Sequence, residues 1–132
     1  MNQPLILLVD DDPDDLFLIR EAISAESKTI AFYEASDGRH ALNFLRSLPS
    51  KSHYPGMVVL DINMPVLDGR ETLAILKTDA ALKDIPVIIF TTSSDQGDKD
   101  YCKQFNVPLI TKPFDMSRLS EIAKIMVSMI KK

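Results

Sequence analysis

Most residues of this sequence that could do chemistry stand where short apolar runs end. Asp10, Asp11 and Asp12 follow the run at 5–9, Asp61 follows 57–60, Thr91 and Thr92 end the run that begins at 87, and Lys112 follows 109–111. Carboxylates brought close together repel one another and raise each other's pKa unless a cation compensates them. A hard divalent ion with oxygen ligands is the natural compensation, and Mg²⁺ prefers one or two carboxylates plus water and phosphate oxygens. A lysine beside them suits the role of a mobile point charge for phosphate. Taken alone, the run at 10–12 reads as a solvated helix cap and Lys112 as a surface lysine. What points to a metal and phosphate site is that all of them fall at strand ends.

The remaining polar and sulfur residues carry no such pattern. His40 and His53 have no partner at metal-ligand spacing and read as surface positions. Cys102 is the one cysteine, set in YCKQF, and reads as a buried or partly buried thiol on a helix. Asp68 and Gly69 read as turn residues, the glycine allowing a positive φ. Thr92 and Ser93 read as loop residues capping the next helix, and the six methionines as packing filler.

The elements that must position these groups follow from periodicity. Runs at 5–9, 30–35, 57–60, 87–91 and 109–111 are largely apolar rather than alternating, as parallel strands covered on both faces are. Between them lies the helical period. Asp12 can cap a helix with Pro13 in its first turn, acids Asp14 and Asp15 at its positive end, and Leu16, Ile19 and Ile23 on one face. A second helix carries Ala41, Leu42, Leu45 and Leu48 and stops near Pro49; a third carries Leu73, Leu76 and Lys77. A fourth, polar one runs from about Gln96 to Phe105. The fifth, capped by Asp115, repeats apolar residues at Leu119, Ile122, Ala123, Met126 and Ile130. Five β-α repeats predict an α/β, doubly wound, five-stranded parallel sheet with right-handed crossovers and helices on both faces. Such sheets place their sites at the carboxyl ends of the strands.

Composition narrows the function classes. At 132 residues and 45% hydrophobic, the chain suits one domain with a single good core. Its net charge of −4 lacks the basic footprint of direct nucleic-acid binding. No apolar stretch approaches the ~20 residues of a membrane span, and the start MNQP does not read as a signal peptide. The expectation is a cytoplasmic protein.

Four separated motifs, in order, carry a family likeness: LLVDDD at 7–12, VLDINMPVLDG at 59–69, PVIIFTT at 86–92 and TKPF at 111–114. Together they resemble the receiver domains of bacterial two-component response regulators, over nearly the whole chain. The resemblance implies the flavodoxin-like strand order 2-1-3-4-5. It also implies a stand-alone regulator, without an output domain, that accepts a phosphoryl group from a sensor histidine kinase. Asp61 would be the phosphoacceptor, Asp11 a direct Mg²⁺ ligand, Asp10 a ligand through water and Asn63 a ligand through its backbone carbonyl. Asp12 matches a more variable acidic place. Thr91 and Lys112 would each meet a phosphoryl oxygen. Pro113 stands where the family commonly has a cis peptide. The acyl phosphate would hydrolyse slowly, which makes a timer rather than a turnover enzyme.

Leu109 departs from the pattern, because many receivers have an aromatic residue there whose rotamer follows the threonine. Output toward a protein target must then travel by backbone and helix shifts. The segments DGRETLAILKTDAALKDIPVIIFTTSSD and FLRSL are similar to single-domain regulators that partner phytochrome-type kinases. Ile125 and Met129, beside the main stripe of the fifth helix, offer apolar surface for a homodimer. Two other functions fit less well. A phosphatase of the haloacid dehalogenase type needs a DxDxT pattern after the first strand, where this chain has LVDDDPDD. A phosphate-independent receiver-like binding module need not have kept Asp11, Asp61, Thr91 and Lys112 together.

Overall fold

The computed structural model describes residues 3–131. Its strands are β1 (Leu5–Val9), β2 (Ala31–Ala35), β3 (Met57–Leu60), β4 (Val87–Thr91) and β5 (Leu109–Thr111). Between and after them lie α1 (Pro13–Glu26), α2 (Gly38–Ser47), α3 (Gly69–Thr78), α4 (Gln96–Gln104) and α5 (Met116–Met129), with a 3₁₀ turn at Lys51–His53. All neighbouring strands are parallel, in the order β2-β1-β3-β4-β5. This is the expected doubly wound, flavodoxin-like order.

Strand side chains alternate between faces, and the core divides accordingly. Ile6, Leu8, Met57, Val59, Ile88 and Phe90 face one layer, built on Leu16, Ile19 and Ile23 of α1 and Leu119, Ile122, Ala123 and Met126 of α5. Leu7, Val9, Val58, Leu60, Val87 and Ile89 face the other, which holds Ala41, Leu42 and Leu45 of α2, Leu73 and Leu76 of α3, and Cys102 of α4. β3 and β4 are buried throughout, whereas β2 and β5 lie at the edges and are partly exposed.

Caps fix the helix starts. Asp12 accepts the N–H groups of Asp14 and Asp15, Asp37 that of His40, and Asp115 that of Arg118. Asp68 and Glu71 form a reciprocal capping box on α3. Leu48 caps α2 instead of lying inside it, and β2 begins one residue after Ile30.

Three local expectations are corrected. No glycine among the described residues has positive φ. What Gly69 supplies is room: a Cβ there would lie 2.2 Å from the Asp61 carbonyl oxygen and 2.5 Å from the Ile62 Cα. The left-handed residues are instead Asn106, just past α4, where asparagine is tolerated, and Val66 at φ 67°. Val66 sits in a γ-turn closed by Leu67 N–H donating to the Pro65 carbonyl at 2.7 Å, a strained place for a β-branched residue. Second, the cap of α4 is Asp95; Ser93 supports it by donating its hydroxyl to Asp98 at 2.7 Å, and Thr92 is exposed. Third, every peptide bond among the described residues is trans. Lys112–Pro113 therefore takes the isomer that X–Pro bonds favour by about 0.5–1 kcal/mol. Among these residues no helix is long and apolar enough to cross a membrane.

Candidate functional site

β1, β3, β4 and β5 all end on one edge of the sheet, and their last residues meet there. Asp61 N–H donates to the Val9 carbonyl at 3.0 Å, which ties the end of β3 to that of β1. Lys112 N–H donates to the Thr91 carbonyl at 2.8 Å, which ties β5 to β4. Asp10 and Asp61 are buried, Asp11 is exposed, and one carboxylate oxygen from each lies within 4.8 Å of the others.

Lys112 brings its ammonium into this group from β5. Its Nζ donates to Asp10 Oδ2 at 2.6 Å, Asp15 Oδ2 at 2.8 Å and Asp61 Oδ2 at 3.3 Å. The other oxygens are also engaged: Asp61 Oδ1 accepts from Ile62 N–H at 2.8 Å, and Asp10 Oδ1 from Asp12 N–H at 3.0 Å. Thr91 is completely buried at the end of β4, and its Oγ1 accepts from Ser93 N–H at 3.3 Å. Asn63 is exposed in the β3–α3 loop, two residues past Asp61.

Burial pushes the Asp10 carboxyl up to about 6, against the opposing hydrogen bond and charge of Lys112. Burial also pulls the Lys112 ammonium down, but its hydrogen bonds to Asp10 and Asp15 and the charge of Asp61 outweigh this and raise it overall. The lysine is therefore firmly cationic. One ammonium among Asp10, Asp11, Asp15 and Asp61 still leaves an excess of negative charge.

The carboxylates fit a small hard cation. They offer only oxygen, the donor type such an ion takes, three of those oxygens lie within 4.8 Å of one another, and Asp11 has no ion-pair partner among the described residues. Asp12 does not join them, because its carboxylate caps α1. Two sequence readings change here. Asp15, read as a helix-dipole acid, is a direct partner of Lys112. Its position in the first turn of α1 was visible, but the 97 residues separating the pair hid the contact. His40 is half-buried and engaged, its Nδ1 accepting from Ser36 N–H, while His53 is exposed. Cys102 is buried, as expected.

Comparison with known proteins agrees with this geometry. Residues 6–124 match the response regulator receiver domain. Response regulator Rcp1 of Synechocystis sp. is 37% identical over 100 residues, which cover 74% of this chain and 68% of that protein. The crystal structure of the phosphorylated cyanobacterial phytochrome response regulator RcpA superposes with a TM-score of 0.84 at 34% identity, covering 95% of this chain and 91% of that one. The Mn²⁺-bound form of Rcp1 gives 0.83 at 30% identity, covering 95% and 92%. Sequence, strand order and strand-end acids thus agree, and the chain belongs to the response regulator receiver domains of two-component signalling.

Proposed function

We propose that Asp61 takes a phosphoryl group from a histidine of a sensor kinase, in a reaction that requires Mg²⁺. Asp10, Asp11, Asp61 and the backbone carbonyl of Asn63 would hold the ion. The observation that carries this reading is the meeting of buried Asp61 with Lys112, at 3.3 Å, inside a group of converging carboxylates. An Asp61 oxygen attacks phosphorus and forms the O–P bond while the P–N bond to the kinase's imidazole breaks. Such a transfer asks mainly for alignment and charge neutralisation. Ile62 N–H fixes the orientation of the Asp61 carboxylate. Lys112 supplies a cation, and the Thr91 hydroxyl turns toward a second phosphoryl oxygen. Mg²⁺, when bound, supplies charge compensation for the phosphoryl oxygens. The resulting acyl phosphate hydrolyses slowly at Asp61, so the protein is a phosphoacceptor with a lifetime, not a turnover enzyme.

The likeness to RcpA, a phytochrome response regulator, supports a phytochrome-type kinase as donor. Ile125 and Met129 are exposed on α5 and support a homodimer through that helix. The test is intact-protein mass after incubation with acetyl phosphate, with and without Mg²⁺, beside Asp61→Asn. A gain of one phosphoryl group that needs both Mg²⁺ and Asp61 is expected. No gain under any condition would leave a phosphate-independent binding module. Size-exclusion runs with and without beryllofluoride address the dimer, which an unchanged monomer would refute.

A further inference from the structure

The Lys112 ammonium has three N–H donors, and all three are used: on Asp10, Asp15 and Asp61. Two of these acceptors, Asp10 and Asp61, belong to the carboxylate group that would hold a divalent cation, and Asp15 does not. The lysine and such a cation therefore compete for the same oxygens and repel each other. The lysine side chain is only 9% exposed, and its backbone is fixed by the hydrogen bond to Thr91, so bulk water offers it little compensation. Asp15 is anchored independently of the strands: it stands in the first turn of α1, with its own N–H on the Asp12 cap.

We infer that Asp15 is a positioning residue that keeps the Lys112 ammonium at the site once a divalent cation occupies Asp10 and Asp61. This rests on the metal-dependent reading above. In the metal-free protein Asp15 is one of three partners and is partly redundant. In the cation-loaded protein it is, among the described residues, the one carboxylate partner of Lys112 outside the group that holds the ion. From there the lysine can turn its weakest and longest hydrogen bond, the one to Asp61, toward a phosphoryl oxygen. Asp15 touches no reacting atom in this scheme.

The test is a short pulse of an amine-acylating reagent on the full chain, read at Lys112 by peptide mass mapping, with and without saturating Mg²⁺. Lys77 reports folding in the same sample, because its Nζ donates to the Lys83 and Ile85 carbonyls. Wild-type Lys112 should stay protected in both conditions. Asp15→Asn should stay protected without Mg²⁺ and become about tenfold more reactive with it, the factor expected from losing one charge-assisted hydrogen bond. Asp15→Glu, which keeps the charge, should restore protection. A structural role for Asp15 in α1 would instead raise labelling equally with and without Mg²⁺, and that result would overturn the inference. So would protection of Lys112 in Asp15→Asn under both conditions. Backbone amide NMR shifts of Asp61 and Ile62 on adding Mg²⁺ are recorded in parallel. If they do not move, the metal reading itself fails, and that outcome is distinct from normal shifts with an indifferent Asp15.

Discussion

At the scale of single residues, Asp61 depends on backbone placement as much as on charged neighbours. Its N–H is held by Val9, its carboxylate by Ile62 N–H, and its carbonyl lies against the first residue of α3. Gly69 is the residue that permits this last approach, while its own N–H donates to the Ile62 carbonyl at 2.8 Å. In Gly69→Ala the new methyl would meet backbone, which cannot rotate away, so α3 or the end of β3 must shift. Urea denaturation should show a loss of about 3 kcal/mol, at the upper end for overpacking, together with slower phosphorylation of Asp61. Gly97→Ala is the control. Its methyl would meet the Asp95 carboxylate at 2.9 Å, the cap of α4, which can turn where backbone cannot. A weakened cap is offset by alanine suiting a helix better than glycine, so its stability should stay within about 1 kcal/mol of wild type. Equal losses in the two variants would refute this account of Gly69.

At the scale of elements, α4 is the helix that the core explains least, since Cys102 is its only buried residue. A network of polar contacts holds it in place. Arg70 of α3 pairs with Asp98 at 2.6 Å and lies over the Tyr101 ring at 4.9 Å, and the Tyr101 hydroxyl donates to the Arg70 carbonyl. Asp98 also accepts from Ser93, whose N–H is on the Thr91 hydroxyl, so the network reaches the site. Burial tends to raise the Asp98 carboxyl, but its hydrogen bonds to Ser93 and Arg70 prevail and hold it below the usual carboxylate value. A carboxylate with a depressed folded pKa adds stability that is present above its unfolded pKa and is lost as pH falls through its folded one. Asp98→Asn should therefore cost about 1–2 kcal/mol at neutral pH, discounted for the exposed arginine. The gap to wild type should close in the acid range below about pH 4. A gap independent of pH, measured by urea denaturation across that range, would show that the pairing is not what holds α4. The extent of this helix was legible in the sequence, at about Gln96 to Phe105, but what anchors it was not. The strands and the other four helices announce themselves by apolar period and caps, whereas α4 depends on Arg70 and Tyr101, 31 residues apart. Leu109, where many receivers carry an aromatic, packs into the α2–α3–α4 side of the core. This leaves the Thr91–Ser93–Asp98 contacts as a hydrogen-bonded path from Thr91 toward α4.

At the scale of the whole molecule, β1 and β3 deliver acids, β5 a lysine and β4 a threonine to a single edge, so the stability of the fold and the charge of the site are linked. The strand-end positions made Asp10, Asp11, Asp61, Thr91 and Lys112 legible in the sequence. The Lys112–Asp15 pairing and the Val66 turn were not, because side-chain reach and local backbone strain leave no periodic trace. The excess of carboxylates means that the metal-free fold holds like charges together, and any cation that binds only the folded state stabilises it by mass action. At a Mg²⁺ concentration about one hundred times its dissociation constant, the gain should be about 2.7 kcal/mol, or a rise of several degrees in Tm. Asp11→Asn removes the exposed carboxylate of the group while leaving Lys112 its three partners. The fold should survive this change and most of the Mg²⁺-dependent rise should disappear. Thermal scans at constant ionic strength, with Na⁺ replacing Mg²⁺ in the reference, separate binding from general screening. A full rise in Asp11→Asn would place the ion elsewhere. No rise in wild type would mean that Lys112 alone compensates the site.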